Sequence, residues 1–267
     1  MKFLLTAINA KFIHSNPAIY SLRAGAGEKL QPYVELAEFT INESLESILE
    51  GIWKRQPKVI GFSCYIWNWK LIREILTELP KILPDTEIWL GGPEVTYDGP
   101  GLLREFPQVT GIMVGEGEVT FREVLDQYVR EAESTGQSEQ QPEPDSIEQQ
   151  AADRTGTVAG KSVAERFGQI PGLCLVSGYT APRELTDLTT LPFLYEDMEP
   201  FTNRIIYYET SRGCPYRCSY CLSSIDKKVR LRDIDVVKRE LQFFLDQNVK
   251  QVKFIDRTFN CDHKHAM

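Results

Sequence analysis

Apolar residues in the first half of the chain fall into short, nearly unbroken runs separated by stretches with helical spacing. The runs "KFLLTAIN" (2–9), "YVELAEFTI" (33–41), "KVIGFSCYI" (58–66), "EIWLGG" (87–92) and "VTGIMVG" (109–115) carry few polar residues, as strands buried on both faces do. Between them, "NPAIYSLRAGAGEKL" (16–30) and "NESLESILEGIWKR" (42–55) read as helices. In the second, Leu45, Ile48, Leu49 and Ile52 share one face, and Asn42 or Ser44 suits the cap. Helical spacing of Ile72, Ile75, Leu76, Leu79 and Ile82 predicts a helix over 69–83, with a short one near 99–105 and another over 118–132. Five strands, each followed by a helix, predict an α/β fold: a parallel sheet covered on both faces, closing at about residue 133.

The pattern then breaks. Residues 134–168 are rich in Gln, Glu, Ser, Thr, Gly and Pro, a composition that does not repay its ordering entropy, and a disordered acidic insertion is expected there. A hairpin around Ser177-Gly178 in "IPGLCLVSGY" and a proline-punctuated connector fill 169–203. A second unit occupies 204–267: a strand over 204–210, a cysteine-bearing loop, a helix over 233–247, and a strand over 251–256. Ile234, Val237, Leu241, Phe244 and Leu245 are expected to face inward from that helix.

Composition narrows the functional classes. Six cysteines, unevenly spread and with no signal-peptide pattern ahead of them, point to a reducing, cytoplasmic compartment and not to a secreted disulfide scaffold. The longest apolar runs, such as "VIGFSCYIW", are half the length that crosses a bilayer, so no membrane partner is expected. A formal charge of −8 counts against a nucleic-acid partner held by many phosphate contacts. The charge is uneven: residues 1–200 hold 17 Lys/Arg against 30 Asp/Glu, and residues 201–267 hold 13 against 8.

Within the basic end, "YYETSRGCPYRCSYCLSS" (207–224) places Cys214, Cys218 and Cys221 inside eight residues. Thiolates bind soft metal centres, and three so close together close on one metal-rich body at little entropic cost. A structural zinc would need a fourth ligand, and the candidates Cys261, His263 and His265 lie beyond a complete helix and strand. Three structural thiols are the bland alternative. A [4Fe-4S] cluster with three cysteine ligands leaves one iron open to a small molecule. "SRGCPYRCSYC" resembles the CxxxCxxC signature of radical S-adenosylmethionine enzymes, with Tyr220 as the aromatic before the last cysteine. That resemblance implies a [4Fe-4S] cluster on Cys214, Cys218 and Cys221, S-adenosylmethionine on the open iron, and reductive cleavage to a 5′-deoxyadenosyl radical. It also implies an electron donor such as a flavodoxin or ferredoxin, and places Asp256 and Asn260 facing the cofactor.

In open parallel sheets ligands sit beyond the carboxyl ends of the strands, where strand order reverses. Those ends here read "INAKF", "SCYIWN", "GGPEV" and "GEGEVTF". The first turn lacks GxGxxG, which counts against a dinucleotide. Glycines 91, 92, 115 and 117 suit close approach of a large ligand, and polar groups at 9, 63, 68, 94, 116 and 118 suit its edge. Glu116 and Glu118 also suit the amino end of the following helix on their own account.

The "GGPE" and "GEGE" turns ahead of the cysteine loop make the chain similar to cobalamin-binding radical S-adenosylmethionine proteins, including a subgroup resembling it from "LLTAINAKFIHSNPAIYSLR" onward. That likeness implies a Rossmann-like or flavodoxin-like cobalamin domain over 1–133, followed by the opening of a partial (β/α) barrel. Cobalamin-edge roles fall to Ser63, Gly91, Gly92, Gly115 and Glu116, with Asn9 and Glu118 beside them. "NAKFIHSNP" lacks the DxHxxG pattern that supplies a lower histidine ligand, so cobalamin is expected without His14 on cobalt. The family both methylates and rearranges, so the substrate and reaction stay open. Family members carry further strand–helix units beyond "KFIDRTFN", whereas 64 residues follow from Arg204 onward, and a C-terminally truncated, catalytically incomplete chain is expected. Alternatives are a radical protein whose first domain holds no cobalamin, and a non-catalytic cobalamin-binding remnant.

Overall fold

The computed structural model describes residues 1–136, 161–224 and 228–266. The chain divides into two compact units, one comprising 1–10 with 18–184 and the other 11–17 with 185–267.

The first unit begins β1 (Phe3–Asn9), α1 (Pro17–Gly25), β2 (Val34–Thr40), α2 (Leu45–Trp53), β3 (Val59–Ser63) and α3 (Trp69–Ile82). It continues with β4 (Glu87–Gly91), α4 (Gly99–Glu105), β5 (Val109–Met113), α5 (Gly117–Gly136), α6 (Val163–Phe167), β6 (Leu173–Leu175) and β7 (Gly178–Tyr179). The strands form one sheet in the order β2-β1-β3-β4-β5-β6-β7, parallel through β5 and antiparallel at β6 and β7. This is a Rossmann-like arrangement. All seven residues of β1 are buried because helices cover both faces of the sheet. Leu4 and Ile8 pack with Ile48, Ile60, Ile72 and Ile75 on one face. Phe3, Leu5 and Ala7 pack with Ile19, Trp89, Phe121 and Val124 on the other. Each such aliphatic or aromatic side chain contributes about 1.5–3 kcal/mol by leaving water, which is what holds the layers together.

The helix boundaries have local causes. Ser44, one of the two expected caps, accepts from the Ser47 N–H at 3.2 Å at the start of α2. Helix α1 stops at Gly25, short of the expected residue 30, and Gly27 behind it takes φ 75°, a left-handed conformation that ends the helical path.

The first unit does not close at residue 133. It runs to Glu184, because the hairpin of β6 and β7 adds to the sheet edge at β5. The far end of the expected insertion is ordered as well. Ser162 and Glu165 form a reciprocal capping box, and α6 buries Phe167 against Trp89 and Tyr128. Arg166 is drawn in with it, bonded to Glu87 at 2.9 Å and Glu131 at 2.8 Å. Residues 137–160 of that expected insertion lie outside the described residues.

In the second unit, β8 (Ile206–Tyr208) pairs in parallel with β11 (Val252–Phe254), and β9 (Ser211–Arg212) pairs antiparallel with β10 (Arg230–Leu231). Helix α7 (Ile234–Asp246) connects β10 to β11, and a short α8 (His263–Ala266) follows. Asp233 caps α7 by accepting from the Asp235 and Val236 N–H groups. Val237 and Phe244 face inward as expected, but Leu245 is 70% exposed. Glu240 takes an inward place instead, buried because Arg232 bonds both its oxygens at 2.8 Å and the Tyr208 hydroxyl donates to it. A paired, fully bonded carboxylate tolerates a position where a lone one would not.

Candidate functional site at the strand ends, and the cysteine loop

Strand order reverses between β1 and β3, since the chain leaves β1 for β2 on one side and leaves β3 for β4 on the other. The carboxyl ends of these strands therefore bound a crevice in which no crossover helix lies, the ligand position of open α/β sheets.

Asn68 braces that crevice. Fully buried at the start of α3, it donates from Nδ2 to the carbonyls of Ile8 at 3.1 Å and Ser63 at 3.0 Å, and its Oδ1 accepts from the Tyr65 N–H at 2.8 Å. With both donors committed to the chain, Asn68 is a scaffold residue and not a ligand-edge contact. Asn9 ends β1 at 6% exposure and donates to Glu38 at 2.9 Å, and Glu38 also accepts from the Tyr20 hydroxyl at 2.8 Å. Ser63 ends β3, partly exposed.

The glycines separate by physical cause. A Cβ on Gly92 would stand 2.5 Å from the Cys64 carbonyl oxygen, and its φ of 109° already excludes other residues. Gly92 is thus required by chain packing. Gly91 would place a Cβ at ordinary contact with Met113. Gly115, at φ 82°, has nothing within 4 Å of a built Cβ, so it borders open space at the end of β5. Glu116 follows it, partly exposed, while Glu118 is 7% exposed in the first turn of α5 and accepts from Ser21 at 3.1 Å. Glu118 therefore sits at a helix amino end, favourable on its own account.

One feature was not singled out from sequence. Tyr65 and Trp67 stack at the end of β3 with ring centroids 4.4 Å apart and planes 9° from parallel, and Ile66 beside them is 80% exposed. The available signal was an apolar run that continues past the strand's last residue. Open space at Gly115, peptide groups at the strand ends and this flat apolar surface together suit a large planar ligand with an amide-bearing rim. Cys64, between them, is fully buried, and burial pushes its thiol well above the ordinary range, so it is inert packing.

His14 lies in the segment grouped with the second unit. Its Nδ1 meets the Tyr207 hydroxyl, and the rings stack at 5.9 Å. Burial, then Lys253 and Lys11, hold it below its ordinary pKa.

In the second unit none of the cysteines is bridged. Cys214 is half-buried with Sγ 3.3 Å from the Thr258 hydroxyl; Cys218 and Cys221 are exposed on a turn closed by Cys221 N–H to Cys218 O at 3.1 Å. Tyr220 is 91% exposed. Among the described residues no three His, Cys, Asp or Glu side chains converge to hold a metal. The donor set has the chemistry of a thiolate-ligated cluster, and its geometry is not assembled. The Asp256 carboxylate is engaged within the chain: it accepts from the Thr210 N–H at 3.1 Å, from the Thr210 hydroxyl at 2.6 Å and from the Ser211 hydroxyl. No described helix is long and apolar enough to cross a membrane.

Residues 4–125 match the family model described as B12 binding domain. The chain is 27% identical over 248 residues to the 2-(S-pantetheinyl)-carbapenam-3-carboxylate methyltransferase of Streptantibioticus cattleyicolor, covering 89% of this chain and 32% of that protein. It is 29% identical over 217 residues to the cobalamin-dependent radical SAM methyltransferase TokK of Streptomyces tokunonensis, covering 76% of this chain and 28% of the relative. The chain thus spans about a third of the length of these relatives. Among solved structures, the cobalamin-dependent S-adenosylmethionine radical enzyme OxsB superposes with TM-score 0.67 at 17% identity over 96% of this chain and 34% of its own. The radical S-adenosylmethionine methyltransferase TsrM from Kitasatospora setae superposes with TM-score 0.64 at 19% identity over 100% of this chain and 49% of its own. The first unit has the Rossmann-like B12-binding fold, as the sequence resemblance implied.

Proposed function

We propose that the first unit binds cobalamin at the carboxyl ends of β1, β3, β4 and β5, and that the loop 214–221 carries a [4Fe-4S] cluster with S-adenosylmethionine, in the service of methyl transfer. The observation that carries the reading is the strand-order reversal between β1 and β3, whose strand ends Asn68 braces, with open space at Gly115 at the end of β5, all within the stretch matching the B12 binding domain. Bound there, cobalamin supplies methyl-carrying chemistry, and the cluster supplies one-electron chemistry.

The residues of this chain have separable tasks. Gly115 leaves room for a bulky edge, and Ser63 and Glu116 offer polar groups beside it. The stacked Tyr65 and Trp67 offer an apolar wall that excludes water from one side of a planar ligand. No imidazole stands among the strand-end residues named here, and His14 is engaged with Tyr207, which supports cobalamin bound without that histidine on cobalt. The CxxxCxxC spacing supports the cluster assignment, and the methyltransferase relatives support methyl transfer over rearrangement. The basic excess of residues 201–267 supports an acidic one-electron donor of the flavodoxin or ferredoxin kind.

The test is binding, measured for each group separately. Purified chain titrated with hydroxocobalamin should retain about one corrinoid per chain after gel filtration, and Gly115→Val should abolish retention in the fraction that remains folded, with a lowered thermal midpoint from the positive φ. Retention unaffected by Gly115→Val would remove the site from the strand ends. Anaerobic reconstitution should load iron and sulfide in equal amounts, and Cys218→Ala should lose both; one zinc per chain with no sulfide would overturn the cluster.

A further inference from the structure

The geometry points to Asp256 as the latch that presents the cysteine loop: a positioning residue that fixes where the chain leaves β8, so that Cys214, Cys218 and Cys221 start from a defined point. This rests on the reading of 214–221 as the ligand loop. The parallel ladder between β8 and β11 ends at Tyr208 opposite Phe254, with one further bond from the Ile255 N–H to the Tyr208 carbonyl at 2.9 Å. Beyond it the Thr210 N–H has no strand to pair with, although Thr210 is only 2% exposed. A buried N–H without a partner costs about 1–3 kcal/mol. Asp256, two residues past the end of β11, fills the gap.

Its Oδ1 accepts from the Thr210 N–H at 3.1 Å, from the Thr210 hydroxyl at 2.6 Å and from the Ser211 hydroxyl, and its Oδ2 lies 3.3 Å from the same N–H. The Thr210 carbonyl is held from the other side by the Arg232 N–H at 2.9 Å, where β10 returns beside β9. Thr210 and Ser211 are therefore fixed at every polar atom named, four and three residues before the first cysteine. Two residues after Asp256, the Thr258 hydroxyl stands 3.3 Å from Cys214 Sγ, so one short segment touches the loop at its root and at its first thiol. An ionised acceptor serving three donors is stronger than a neutral one and specific in direction. That combination suits a hinge which must not wander while its loop is still open.

The test uses the full chain and compares Asp256→Ala with Asp256→Asn, which keeps one acceptor oxygen, and with Ser211→Ala as the mildest change. In metal-free protein, Asp256→Ala should speed amide exchange at Thr210 and through 211–218 by about tenfold or more, with β1–β5 and α7 unchanged. After anaerobic reconstitution its iron affinity should fall by about ten- to a hundredfold, with Asp256→Asn between it and the parent. Unchanged exchange in Asp256→Ala overturns the latch, and so does faster exchange with undiminished iron. If Asp256→Ala does not fold, Ser211→Ala must show faster exchange at residues 211–218 than the parent, or the proposal fails. A parent chain that loads no iron or sulfide refutes the cluster reading instead, and the exchange comparison alone then decides the latch.

Discussion

Asn68 reaches across from the start of α3 to the Ile8 carbonyl, 60 residues earlier in the chain, at 3.1 Å. The same Nδ2 donates to Ser63, so one buried amide holds the ends of β1 and β3 at a fixed spacing where strand order reverses. Asn68→Ala removes its two donations and one acceptance at these strand ends, one of them to the buried Ile8 carbonyl, and should cost about 2–3 kcal/mol. Urea unfolding measures the loss, and hydroxocobalamin titration should show weakened retention in the folded fraction. A stability change below about 0.5 kcal/mol would mean that water replaces the amide, and that Asn68 does not brace the crevice.

Gly92 and Gly115 both take positive φ, and their alanine variants should differ. Gly92→Ala adds a clash with the Cys64 backbone to the strained dihedral and should cost upwards of about 2 kcal/mol. Gly115→Ala meets open space and should cost about 1 kcal/mol from the dihedral alone. Thermal midpoints of the two variants give the ranking, and the reverse order would contradict the strand-end geometry.

Arg166, with its side chain 1% exposed, is fastened by Glu87 and Glu131 and lies over the rings of Tyr128 and Phe167 at 5.0 and 4.7 Å. Burial alone would lower its pKa, and the bonds from Glu131 and Glu87 more than offset that, so it stays charged. Arg166→Ala strands two carboxylates and should cost about 3–5 kcal/mol, whereas Arg166→Ala with Glu87→Gln and Glu131→Gln should recover part of it. Chemical denaturation of the single and triple variants checks the coupling.

His14 carries a pH dependence whose sign follows from its lowered pKa. The unfolded chain takes up a proton near the ordinary value of 6.5, while the folded chain resists until lower pH. The unfolded state thus binds more protons in between, so stability is full above about pH 6.5 and declines as pH falls below it. His14→Gln should flatten that decline in melting curves recorded from pH 7.5 to 5. A parent chain that gains stability on acidification through this range would show that His14 is held protonated instead.

Much of this protein is written locally. The runs at 3–9, 34–40, 59–63, 87–91 and 109–113 became five strands because doubly buried strands need only an apolar run of the right length, and helix α3 kept its expected inward face at Ile72, Ile75, Leu76 and Leu79. The cap at Ser44 was legible for the same reason: it depends on neighbours within a few residues. What periodicity could not supply was partnership across the chain. Asp256 was turned toward a cofactor by resemblance alone, and the structure engages its oxygens with Thr210 and Ser211, some 46 residues away. Leu245 was placed inward by spacing and is exposed, whereas Glu240 is buried because Arg232 and Tyr208 lie where they satisfy its carboxylate. The hairpin at 173–179 and the buried Phe167 joined the first unit because the free edge of β5 and the gap beside Trp89 lie there to receive them. Sequence alone sets which segments are strands and helices, because backbone propensity and burial pattern are local. Only the tertiary structure decides which polar group each buried donor meets, because that partner is brought near by the packing of the whole unit.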